Sequence, residues 1–410
     1  MPRIVLEKPV KIISAEIFGL KLKLSPRHAT AAGWRPIILK LTTDEGLVGI
    51  GEAGLAYGLA HNGAVGMTRD LVEAFVIGAD PLDREPIWNR MHRHSFWGGA
   101  CGPVVNAAMS AVDIALWDIA GKALNQPIWR LLGGKVNPDL RCYASQTQFG
   151  WDDGLYMLGE AKAYGEAAQR AVAQGYDAIK VDPIMLDENG AVENPNRLKG
   201  ALERSIVRRA TSRLAAIREA IGPDIDIILE LHSLTSLTGG QQLAQACAQF
   251  DLFMVEEAVN YNSDQPARTL KQRMPHMRMT GGERIFTRWQ YKHYLEGAAF
   301  DMIQPDFCLV GGISEGRKIC DMAHAYEVTV QGHVCGSPIS TAAARHIETS
   351  IPNFQIHEHH VYSTLENNRH ICLQDPQPVN GRYQVDEAPG LGLDLNEEFV
   401  RKHATTTIKL

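Results

Sequence analysis

The chain has 410 residues, of which 45% are hydrophobic and 21% charged, and its formal net charge is −6 at pH 7. This is the composition of an ordinary globular protein, with length for two or three domains. With mild acidity and no basic stripe, nothing electrostatic favours a nucleic acid or an anionic membrane as partner.

Residues Met1 to Leu20 carry Arg3, Glu7, Lys8, Lys11 and Glu16, so no apolar stretch there suits a signal-peptide core. No run of 18 apolar residues occurs, so no membrane span is expected. Seven scattered cysteines form no CxxC pair, which predicts free thiols in a reducing cytoplasm rather than a zinc cluster.

Lys11–Leu24 and Pro36–Thr43 carry β-branched and apolar runs, and Leu47–Ala53 returns as a strand after the turn Asp44-Glu45-Gly46. Helical spacing follows at Met67–Ile77, Glu85–His92 and Val104–Ala123, with Asn125-Gln126-Pro127 as the stop. Residues 1–135 therefore read as an α+β capping domain. From 136 to 376 short apolar runs alternate with helical stretches. The runs are Leu140–Ala144, Ala178–Val181, Ile225–Leu229, Phe253–Val255, Arg278–Thr280, Met302–Ile303, Val328–Val330 and Phe354–Ile356. Eight βα units predict a closed parallel (β/α)8, TIM-like barrel. The polar, Gly- and Pro-rich tail, 377–410, is expected to return to the capping domain.

Polar residues recur where these runs end. They are Lys180 and Asp182, Glu230 and His232, Glu256, Glu283, Asp306, His333 and Glu358. From Glu230 to Glu358 successive ends are 23 to 27 residues apart, one βα unit each time. All would share the C-terminal rim, where barrel active sites are built. One acidic residue at a strand end is ordinarily a cap or a solvated loop residue, and one histidine is ordinarily bonded to backbone. Six successive ends supplying Glu, Glu, Glu, Asp, His and Glu are another matter, because grouped buried carboxylates need a cation or protons. Glu230, Glu256 and Glu283, from neighbouring strands, make a hard oxygen site suited to one Mg²⁺. Asp306 is placed to hold His333 in one tautomer. His232, two residues beyond Glu230, is expected on the same side of that strand. Lys180 is placed to neutralise a substrate carboxylate, and Asp182 to bind substrate hydroxyls.

These residues resemble the enolase superfamily, mandelate racemase subgroup, over nearly the whole chain. The strongest match is Ala108-Met109-Ser110-Ala111-Val112-Asp113-Ile114-Ala115-Leu116-Trp117-Asp118, running on to Gly121-Lys122, Pro127 and Leu131-Leu132-Gly133. Gly49-Ile50-Gly51-Glu52, Pro305-Asp306 with Gly311-Gly312-Ile313-Ser314-Glu315, and Pro389-Gly390-Leu391-Gly392 add to it. The resemblance implies Glu230, Glu256 and Glu283 as metal ligands and His333 with Asp306 as the dyad base. It implies that Glu358 hydrogen-bonds the substrate carboxylate, donating if protonated, with Lys180 as electrostatic partner. Three departures stand out: Asp182 replaces the second Lys of Lys-x-Lys, Glu230 stands where Asp is common, and Ala258 replaces the Pro of Glu-Glu-Pro.

His232 resembles the general acid of galactonate-type acid-sugar dehydratases. The implied reaction is Mg²⁺-dependent dehydration of an aldonate or aldarate to a 2-keto-3-deoxy acid. A sugar-acid epimerase or racemase, a lactone cycloisomerase, and a non-catalytic protein retaining the fold are the alternatives. The implied partner is a small hydroxy-carboxylate, and a homo-oligomer is expected. Pro26–Trp34 and Tyr57–Asn62 are the candidate specificity loops; His92–Trp97 reads as packing.

Overall fold

The computed structural model describes residues 10–23, 33–152 and 154–410. The N-terminal strands are β1 (Ile12–Leu20), β2 (Ile37–Thr43) and β3 (Val48–Ala53), followed by helices α1 (His61–Phe75), α2 (Arg84–His94) and α3 (Pro103–Ala123). Next come eight barrel strands: β4 (Asp139–Ser145), β5 (Ala178–Val181), β6 (Asp226–Glu230), β7 (Met254–Glu256), β8 (Met279–Gly281), β9 (Met302–Ile303), β10 (Thr329–Val330) and β11 (His357–His360). The tail adds β12 (Arg382–Gln384) and β13 (Ala404–Lys409).

β1, β2 and β3 form the expected meander, and β13 closes its open side by pairing antiparallel with β1. The tail's earlier strand, β12, pairs instead with β4 at the barrel. The tail thus divides its contacts between the cap sheet and the barrel.

α3 begins with Pro103, where the missing N–H is no loss, and is followed by Asn125 at φ 50°. It is long and apolar enough to cross a membrane, but 89% of its most apolar stretch is buried inside the protein. Gly49 and Gly51 let it lie directly on β3: a Cβ at either would sit 2.2 Å or 1.9 Å from the carbonyl oxygens of Ala115 and Ala111. Asp113 fastens α3 to the barrel side by accepting from Ser314 N at 2.8 Å and Ser314 Oγ at 2.6 Å.

β4 to β10 run parallel in sequence order, and β11 pairs with β4. The ring closes where Val330 N donates to Asn353 O at 2.8 Å and Gln355 N donates to Val330 O at 2.9 Å. The run Phe354–Ile356, expected as the eighth strand, makes this closing bridge at Phe354, and the strand proper starts at His357.

Candidate active site

Side chains along a strand alternate between faces, so inward positions repeat every second residue. Tyr143, Ala178, Ile228, Met254, Met302 and Ile356 form one apolar layer inside the barrel. Two residues further along each strand come Ser145, Lys180, Glu230, Glu256, Gln304 and Glu358, all buried. The same alternation that packs the apolar layer therefore raises a charged layer directly above it, toward the C-terminal rim. Asp182, His232 and Asp306 stand another two positions on in the sequence, and His333 stands two beyond the buried Gln331. Glu283 lies two residues past the end of β8.

Lys180 is the hub of the charged layer. Its Nζ lies 3.1 Å from Glu230 Oε2 and 2.9 Å from Glu358 Oε1, and it also pairs with Glu256. Gln304 Nε2 donates to the other Glu256 oxygen at 2.6 Å. Burial and the Glu230 charge push the Glu256 carboxyl well above its ordinary range. Burial would raise Glu230 too, but the charges of His232 and Lys180 outweigh it and hold that group ionised.

Two His–Asp pairs rise above this layer. His333 Nδ1 lies 2.8 Å from Asp306 Oδ2, and its Nε2 lies 3.3 Å from Glu283 Oε2. His232 Nδ1 lies 2.6 Å from Asp182 Oδ2. Burial pulls both imidazoles down, yet neighbouring carboxylates overcome it. Glu283 and Asp306 raise His333 to about 9, and Glu230 and Asp182 raise His232 to about 9.

One expectation needs correcting, and Asp182, read as a hydroxyl-binding group, already has protein partners on both oxygens. Oδ1 accepts from Ile184 N and Met185 N, each at 2.8 Å, and Oδ2 faces His232. His232 was placed by continued strand alternation, but β6 ends at Glu230 and His232 has φ 47°. A left-handed turn through His232 and Ser233 (φ 55°) aims it, helped by its own N donating to Glu230 Oε1 at 2.8 Å. Such backbone is costly for non-glycine residues and concentrates at functional sites. Glu257, next to Glu256, shares it at φ 49°.

Glu358 behaves as an anion. It accepts from Ser145 Oγ at 2.6 Å, Val334 N at 2.8 Å and Lys180 Nζ, and although burial would raise it, the charges of Lys180 and His333 hold it near 2. In this arrangement it accepts from Lys180 and from the loop that carries His333. Ser145 and Gln304 were not singled out in the sequence; Ser145 is the residue immediately after the run Leu140–Ala144. Arg284, 2.7 Å from Glu283 Oε1 and also paired with Glu257, likewise escaped notice.

Residues 20–133 match the family model for the N-terminal domain of mandelate racemase and muconate lactonizing enzyme, and residues 163–399 match the enolase C-terminal domain-like model. The chain belongs to the enolase superfamily, mandelate racemase subgroup. A curated D-galactonate dehydratase from Cronobacter sakazakii is 30% identical to this enolase-superfamily chain over 377 residues, covering 89% of this chain and 90% of that one. A solved enolase-superfamily member from Salmonella Typhimurium superposes with a TM-score of 0.92 at 45% identity, covering 98% of this chain and all of the other. A protein provisionally assigned as a dehydratase from Zymomonas mobilis gives a TM-score of 0.93 at 43% identity over 98% of this chain and 99% of that one.

Enolase-superfamily membership implies a magnesium ion, and the donor set can be tested against it. Among the described residues no three acidic, histidine or cysteine side chains form a ready-made metal cage. The Lys180 ammonium now sits among the carboxylates as their counter-cation. The donors themselves fit a hard divalent ion. Glu230, Glu256 and Glu283 offer only oxygen, come from three adjacent strands and are at most 5% exposed. Glu230 Oε2 is buried without a hydrogen-bond donor in bonding geometry, despite the nearby ammonium.

Of the expected specificity loops, residues 26–32 lie outside the described residues. Trp34 stacks with Tyr57 at 6.4 Å and meets Tyr362 edge-on at 4.7 Å, so the cap supplies an aromatic wall beside the rim. His92 stacks against both Trp88 and Trp289, at 5.0 and 4.8 Å, which is packing.

Proposed function

We propose that this enzyme is a Mg²⁺-dependent dehydratase of a sugar acid, an aldonate or aldarate. The observation that carries the reading is the pair of His–Asp dyads, Asp306–His333 and Asp182–His232, standing above a buried carboxylate trio. Elimination needs one group to take a proton and another to give one. The D-galactonate dehydratase relative supports the same class of reaction.

Removing a proton α to a carboxylate places a second negative charge on its oxygens. Glu230, Glu256 and Glu283 would hold the Mg²⁺, which when bound would supply positive charge to stabilise it. Lys180 adds a fixed positive charge beneath the same position. His333, oriented through Nδ1 by Asp306, takes the α-proton on Nε2, and the C–H electron pair passes into the enediolate. His232, oriented by Asp182, then protonates the β-hydroxyl as the C–O bond breaks and water leaves. The resulting enol takes a proton and becomes a 2-keto-3-deoxy acid. The configuration at C2 decides which histidine takes which role.

The duplicated dyad equally suits a two-base sugar-acid epimerase, so this is the second reading. A screen of aldonic and aldaric acids with Mg²⁺, scored by semicarbazide absorbance, separates the two. Keto-acid formation supports dehydration. Deuterium uptake at C2 from heavy water with no keto acid from any substrate would establish epimerisation instead.

A further inference from the structure

Glu52, near the end of the cap strand β3, is fully buried. It ion-pairs with no described basic side chain. Instead its carboxylate accepts from Ser337 N at 3.1 and 3.0 Å, Ser337 Oγ at 2.6 Å and Ser340 N at 3.3 Å. Ser337 caps the 13-residue helix Pro338–Ser350 and lies four residues beyond His333. The N-terminal N–H groups of that helix therefore point at a carboxyl group supplied by the cap, which burial pushes up to about 7. Only glycine fits between them, since a Cβ at Gly336 would lie 3.1 Å from Glu52 Oε1 and 2.5 Å from Ser340 Cβ.

Two residues on, the same strand exit grips the neighbouring loop. Gly54 N donates to Cys308 O at 3.0 Å, and a Cβ at Gly54 would stand 2.9 to 3.1 Å from Leu309 and Cys308. Cys308 N in turn donates to Asp306 Oδ1 at 2.7 Å. One short segment of the cap thus holds both loops of the Asp306–His333 dyad.

We propose that the exit of β3, Glu52 to Gly54, sets the aim of His333 relative to Asp306, with Glu52 as a positioning residue for proton transfer. Seating of the cap and alignment of the base are then one event. The proposal rests on the reading of His333 as the base. It does not depend on which acid is the substrate.

Glu52→Gln keeps the shape but presents an NH2 group to donors that need an acceptor. The full-length variant should fold, melt within a few degrees of wild type and bind Mn²⁺ as tightly, because Glu52 touches no proposed metal ligand. The downfield NMR signal of the His333 Nδ1 proton, assigned by its loss in Asp306→Asn, should shift or broaden. With a substrate in hand, kcat should fall about tenfold to a hundredfold with KM within twofold, as expected for misaimed proton transfer. An unchanged His333 signal, or an unchanged kcat, would overturn the proposal. If Glu52→Gln does not fold, Ser337→Ala removes the hydroxyl contact alone and should move the signal in the same direction by less. No movement there would overturn it too. The NMR arm needs no turnover, so failure of the dehydratase reading leaves this test intact.

Discussion

Asp182 Oδ2 lies 2.6 Å from His232 Nδ1, and this contact repeats beyond β5 and β6 what Asp306 and His333 make beyond β9 and β10. The carboxylate fixes the tautomer, leaving Nε2 as the proton-carrying atom. Asp182→Asn should therefore cut keto-acid formation by about 10² to 10⁴. Exchange of the α-proton with solvent, which His333 conducts, should survive. Parallel assays for keto acid and for deuterium at C2 check this, and equal loss of both would disprove separate roles.

Metal binding offers a sharper test of the trio. Glu256→Gln removes one anionic donor while keeping a similar shape. Its Mn²⁺ affinity, followed by electron paramagnetic resonance, should fall by about a hundredfold or more, beyond what loss of an outer hydrogen-bond partner costs. Affinity equal to wild type would remove Glu256 from the metal site.

The histidines predict a pH dependence for the metal-free protein. Both have folded-state pKa values of about 9 against an ordinary 6.5. A group that binds its proton more tightly when folded stabilises the fold fully below its unfolded pKa, here 6.5, and loses that contribution as pH rises through 9. Metal-free protein should thus melt progressively lower between pH 6.5 and 9. A divalent cation held by the trio repels the imidazolium charges, so saturating Mg²⁺ should lower both pKa values and flatten the trend. Calorimetry with and without Mg²⁺ measures this, and identical curves would count against a shared site.

The tail gives an acid-side prediction. Arg401 grips Glu16 of β1 through two contacts of 2.8 Å, and Lys40 lies 3.4 Å away. The Arg401 hydrogen bonds, with added charge from Arg401 and Lys40, bring Glu16 down to about 2 against mild burial. That contribution is present above pH 4.5 and lost as pH falls toward 2. The group is near the surface and screened, so Glu16→Gln should cost only about 1 kcal/mol at pH 7. Urea unfolding at pH 7 and pH 3 should show the difference shrinking in acid.

Most of the barrel was readable because its strands are apolar inward and spaced by whole βα units. Ala178–Val181 and Met302–Ile303 fall where the runs placed them. The last strand was displaced because His357 to His360 are polar and so lie outside the apolar run Phe354–Ile356; their burial follows from neighbours the sequence does not order in space. Glu230, Glu256 and Glu283 could be grouped by spacing alone. The partnership of Asp182 with His232 could not, because it depends on a left-handed turn at two non-glycine residues. Glu52 and Ser337 were beyond reach for a different reason: 285 positions separate them, and no local pattern links a strand end to a distant helix cap.

Gly49 and Gly51 leave no cushion between β3 and α3. Backbone rests on backbone there, so neither element can absorb a shift by bending a side chain. Through Asp113 and Ser314, α3 is also tied to the barrel wall. A displacement of the cap must therefore be passed on whole, as by a stiff lever, to the carboxylate at the end of β3. Substitutions on the outer surface of the cap that tilt α3 should accordingly alter proton-transfer rate before they alter how tightly substrate is held.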